Sequence, residues 1–122
     1  MKLKVWRATV AQLDWLVTDL VYTKMLLSGE HLKYWGLKDH LLGLGARPYT
    51  SDWLWGGELI NSEKISTTCD DSGVWLAYYA YNYGGERQYM NSDHRQLVAA
   101  MRSYVGANWG KEVHIPDSLK DR

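Results

Sequence analysis

Two stretches of helical periodicity, lying at opposite ends of the chain, restrict the folds open to it more than any other feature. In the first, Thr9 is followed three residues later by Gln12, a capping-box spacing in which each side chain can reach the other's backbone amide. Leu13, Leu16, Val17, Leu20 and Val21 then recur at helical spacing. The pattern predicts a helix from Val10 to Leu26, ended by Ser28-Gly29. In the second, Asp93 and Gln96 repeat the capping spacing, and Leu97, Ala100, Met101, Tyr104 and Val105 share one helical face up to Gly106 and Asn108. Each helix needs a cover for its apolar stripe.

The segments between supply one. Val74–Tyr81 is rich in aromatic residues and reads as the best strand, with Arg87–Met90 returning beyond Gly84-Gly85 as its hairpin partner. Cys69–Gly73 reads as a turn, and Glu112–Ile115 as a short strand stopped by Pro116. Arg47–Asp52 reads as loop, continued by Trp53–Gly57, and Glu58–Asn61 and Lys64–Thr67 as short extended pieces. A short helix or turn is expected over Lys33–Leu42, within a Gly-interrupted stretch. The expected architecture is α+β: two main helices packed on a small antiparallel sheet, in one domain over residues 1–122, with a polar, fraying tail from about 118. Trp15, Leu97, Met101 and Ile115 are expected in the core.

Composition narrows the function. The chain holds 7 Trp and 9 Tyr but no Phe. Trp and Tyr each bring a donor that needs a partner when buried, so this preference suits half-wet aromatic surface, as in a ligand groove or a homo-oligomer interface. Lys plus Arg and Asp plus Glu both number 14, without the basic excess that duplex nucleic acid or a membrane surface calls for. No apolar run is long enough to span a bilayer, and the one cysteine, Cys69, suits a reducing cytosol.

Three segments taken together resemble the NinX-like family of small phage and prophage proteins, a domain of unknown function. They are Leu13–Val17; Ser51-Asp52-Trp53 with Gly56-Gly57-Glu58-Leu59-Ile60; and Leu97–Val105 running on to Glu112–Leu119. Glu58 stands where family members usually have Pro, and Trp53-Leu54-Trp55 replaces a more polar stretch. The resemblance implies a phage origin and expression in the cytoplasm of the bacterial host. It carries no established catalytic residue or cofactor.

The residues themselves show little that reads as catalysis. His31, His40, His94 and His114 have no metal-ligand spacing, so no metal or cofactor is expected. Cys69 stands before Asp70 and Asp71, a poor setting for a nucleophile, and no phosphate loop is present. Binding reads better. Tyr79, Tyr81 and Tyr83 alternate onto one face of the hairpin with Trp75, and Tyr78 onto the other. Arg87, His94 and Arg95 are expected to gather at the start of the second helix, where free amides favour an anion. Asp52 and Trp53, beside two glycines, form a second candidate. The expected ligand site is therefore Asp52, Trp53, Tyr81, Arg87 and Arg95, for a small anionic or nucleotide-like ligand or a host protein, such as a component of host defence. The alternatives are a core and dimer interface built from the rings, a small hydrolase using Asp52 with His94 or Glu58, and an accessory of phage DNA metabolism.

Overall fold

The computed structural model describes residues 1–25, 27, 46–81 and 87–122, with side chains described outside 80–90. The first capping box forms as its spacing predicts. The Thr9 amide donates to Gln12 Oε1 at 3.0 Å and the Gln12 amide to Thr9 Oγ1 at 3.2 Å, opening helix α1, Val10–Met25. Leu13, Leu16, Val17 and Leu20 are buried, and Trp15 is half-buried against the same core. Gln12 has a second role. Its Nε2 donates to the Leu119 carbonyl at 2.9 Å and the Lys120 carbonyl at 3.3 Å. The tail expected to fray is thus tied to the start of α1, and its Asp117–Leu119 turn is a 3-10 helix. Thr9→Ala removes a cap worth about 1 kcal/mol, and the expected result is a lower urea midpoint with an unchanged denaturant slope.

The largest difference from expectation lies at Trp53–Glu63, read as loop and strand and found as helix α2. Asp52 caps it, its Oδ1 accepting from the Leu54 amide at 2.8 Å. Two glycines cost a helix about 1 kcal/mol each, which is why the sequence reads as loop. Packing overrides that cost at Gly56. A Cβ there would collide with the Tyr49 carbonyl oxygen and approach Leu97 Cδ2 to 2.8 Å. Lys64 ends α2 in the left-handed conformation, φ 59°, with its amide on the Ile60 carbonyl.

Strand β1, Lys2–Lys4, was not foreseen; it pairs antiparallel with the chain's last strand, β5, Glu112–His114. The other sheet is β2-β3-β4: Ser66–Cys69, Trp75–Tyr81 and Arg87–Asp93, all antiparallel. The fold is α+β, with two small sheets rather than one and three helices among the described residues. The Asp70 turn forms as expected, Asp70 Oδ1 accepting from the Ser72 and Val74 amides. Helix α3, Gln96–Trp109, lies at the centre, packed on the three-stranded sheet and on α1 and α2. It is buried on more than its predicted face, because Val98, Ala99, Ser103 and Gly106 are covered too. Small residues let the neighbours approach, and the buried Ser103 hydroxyl donates to the Ala77 carbonyl at 2.8 Å. Leu97, Met101 and Ile115 are buried as expected. In β3, Ala77 and Tyr79 face this core and Tyr78 faces out. The segment Lys33–Leu42, the Ser28-Gly29 stop and Tyr83 lie outside the described residues.

Candidate functional site

The polar side chains of α1 hold the strand of chain that leads into α2. Thr18 Oγ1 accepts from the Arg47 amide at 3.0 Å, and Asp14 Oδ1 from the Thr50 amide at 2.8 Å. This fixes Tyr49, whose ring meets Trp55 edge-on at 6.0 Å, and Arg47, whose guanidinium stacks 4.4 Å over Trp55. Burial, with Tyr22 nearby, pushes the Tyr49 hydroxyl up to about 12. The first turn of α2 then presents Trp53, 56% exposed, and Leu54, 70% exposed. The Trp53 ring lies against Gly57, where a Cβ would come within 3.0 Å of it. Asp52 is occupied by capping, which is its structural role.

Gly56 brings this turn onto Leu97, so the starts of α2 and α3 meet. Arg95 is the N-cap residue of α3, with no side-chain cap. The capping box expected of Asp93 and Gln96 does not form. Gln96 Nε2 donates instead to Thr67 Oγ1 at 2.8 Å, and the Asp93 carboxylate serves two arginines. It accepts from Arg95 Nε at 2.9 Å and from Arg102 Nη1 at 2.9 Å, and the Arg95 amide also donates to it. Burial raises the Asp93 carboxyl, but the two arginines outweigh burial and hold it below its ordinary range. The Arg95 guanidinium, raised by the same bond, is still 57% exposed.

Tyr81 and Arg87 are a cross-strand pair, but at the other end of the hairpin from Trp75↔Asp93. Arg87 and Asp93 are the two ends of the seven-residue strand β4, six steps or about 20 Å apart. Strand length therefore sets Tyr81 and Arg87 apart from Arg95, while Asp52 and Trp53 open the helix whose first turn meets Leu97. The side chains of Tyr81 and Arg87 are outside the described residues. His94 lies near the Asp70 turn, where Ser72 and Val74, and then His94, hold the Asp70 carboxyl low. Cys69 is exposed at the end of β2.

A polar cluster that sequence reasoning missed sits in the groove between α1 and α2. Glu63 accepts from the Tyr79 hydroxyl at 2.8 Å and the Tyr104 hydroxyl at 3.4 Å, and pairs with Lys24 at 3.5 Å. The Lys24 ammonium lies 4.5 Å over the Tyr104 ring. Burial lowers its pKa while Glu63 opposes the shift, and burial pushes the Tyr104 hydroxyl well up. The groove holds adjoining cavities of about 290 and 210 Å³, both lined by Val21, Met25, Leu59 and Ser62. One signal was present in the sequence: Lys24 falls on the apolar stripe of α1, at heptad spacing from Val17. No signal marked Glu63, which ends the helix that the sequence presents as loop and short extended pieces.

No helix among the described residues is long and apolar enough to cross a membrane. No curated protein matches the chain. A family model described as bacteriophage P22, NinX matches residues 46–107, the span from the Arg47 loop through α2, the three-stranded sheet and most of α3. That span holds the meeting of the two helix starts, and by it the chain belongs to the NinX family of phage accessory proteins.

Proposed function

We propose that this protein acts by binding a small planar anion of the nucleotide class, in the bacterial cytoplasm, at the meeting of the α2 and α3 starts. The observations that carry this reading are the exposed Trp53 ring on the first turn of α2 and the contact of that turn with Leu97, in the first turn of the helix that Arg95 caps. An indole face stacks a base whatever its identity, a contact worth about 1–3 kcal/mol. The α3 start, which has no side-chain cap, and the exposed Arg95 guanidinium favour the anionic end. Asp93 already neutralises part of that charge, so a ligand shares Arg95 with Asp93 rather than meeting a bare cation. Sequestration of such a ligand from host defence needs stacking and charge, with no reaction. The exposed Trp6, Leu54 and Tyr78 support self-association as well.

Calorimetric titration against a panel of mononucleotides and cyclic nucleotides tests this. Trp53→Ala is expected to weaken binding about 5- to 150-fold with little change in melting temperature, because the ring is largely exposed. Arg95→Ala is expected to weaken it as well. No heat from any nucleotide, together with a dimer by light scattering that Trp53→Ala dissociates, would move Trp53 to a subunit interface and end the nucleotide reading.

A further inference from the structure

Away from both helix starts, a cavity of about 330 Å³ opens between α1 and the C-terminal turn. Its lining includes Asp14 and Trp15 from α1, and Ser118, Leu119 and Arg122 from the turn. Two features make it more than a gap. First, the wall is held rigidly on both sides. Gln12 fixes the turn through the Leu119 and Lys120 carbonyls, and the Arg122 amide donates to the Leu119 carbonyl at 3.2 Å. Second, an acidic and a basic residue, Asp14 and Arg122, line the same space, and no ion pair joins them. Asp14 Oδ1 accepts from the Thr50 amide, and among the described residues no cation pairs with this carboxylate. Burial raises this carboxyl, with the Thr50 contacts only partly opposing the rise, so a donor in the cavity would relieve an existing cost.

We infer that this cavity binds a small zwitterion of the amino-acid class, its ammonium on Asp14, its carboxylate on Arg122 and its side chain along the Trp15 ring. The chemistry follows from the charges. A simple cation would leave Arg122 unmatched, and a simple anion would meet Asp14. A ligand with both charges satisfies both ends, and its ammonium also gains from the indole face. The volume accommodates a ligand of that size.

The test is titration of the full chain with free amino acids, read by Trp fluorescence and by NMR. Each amino acid is run beside its amide, which lacks the carboxylate, and its N-acetyl form, which lacks the ammonium. Binding of the free amino acid is expected, with at least a tenfold loss for either blocked form. Asp14→Asn keeps an oxygen for the Thr50 amide, so the fold is expected to persist while affinity falls at least tenfold. Arg122→Ala changes an exposed residue and is expected to lose affinity for the free amino acid but not for its amide. The inference is overturned if no free amino acid binds, if the amide binds as well as the free form, or if Arg122→Ala leaves binding intact. These results are independent of the nucleotide titration, because Trp53 and Arg95 take no part in them.

Discussion

Replacing Gly56 by alanine is expected to destabilise the protein by about 2–3 kcal/mol, although alanine is the better helix former. The new methyl group would run into the Tyr49 carbonyl oxygen and the Leu97 side chain. Leu97 can rotate away. The Tyr49 carbonyl cannot, because the loop carrying it is pinned through Arg47 and Thr50 to Thr18 and Asp14. Helix α2 must therefore move off this loop, which loosens its contact with α3 as well. Gly57→Ala is the matched control. Its Cβ would meet only the Trp53 ring, an exposed side chain free to shift. That variant is expected to be neutral or up to about 1 kcal/mol more stable. Thermal unfolding of the pair checks both, and equal melting temperatures would refute the close-packing account.

Asp93→Ala is expected to cost roughly 2–3 kcal/mol, below the figure for a fully buried pair because some solvent reaches this one. Arg102 is only 11% exposed at its side chain, and its other contacts are the carbonyls of Ala8 and Ser92. Without Asp93 its charge lies in the packed region uncompensated. Arg95, being exposed, returns to water at little cost. The Asp93 carboxyl is held below its ordinary value, so its contribution is complete above about pH 4 and fades as pH falls through the folded-state value. Wild type is thus expected to lose stability on acidification through that range, and Asp93→Ala to lose less. Denaturation midpoints between pH 2 and 7 provide the measurement. Parallel acid limbs would show that Asp93 is not the group responsible.

Where sequence and structure agree, the signal was local and of one kind. The Thr9–Gln12 box and the stripe of α1 act within a few residues, and both form. The aromatic strand Trp75–Tyr81 and its hairpin return were legible for the same reason. Helix α2 was not, because the reason for its glycines is a carbonyl and a leucine supplied by distant parts of the chain. Asp93 misled in a similar way: its spacing to Gln96 fits a capping box, but Arg102, nine residues on, competes for the carboxylate. At the candidate site, residue type and neighbours single out Asp52, Trp53 and Arg95, but not that Asp52 caps α2 or that Arg95 bonds to Asp93. The distance between Arg87 and Arg95 depends on strand length, since β4 runs to Asp93 rather than stopping at Met90. The Lys24–Glu63–Tyr79–Tyr104 cluster joins three helices and a strand, and no window of sequence contains it.

The pairing of β1 with β5 sets an order of events in folding. Leu3 lies opposite Val113, so this small sheet encloses about 110 residues. Closing so long a loop costs about 4 kcal/mol in chain entropy before any constant term, more than three residue pairs can return by themselves. The two strands can meet only after α3 has docked against α1 and shortened the effective distance between them. During synthesis β1 leaves the ribosome about 110 residues before β5, its partner. Its three residues must wait, edge unpaired, until everything between the two strands has been made, and their charged ends, Lys2 and Lys4, are well suited to keeping that waiting edge from pairing with another strand.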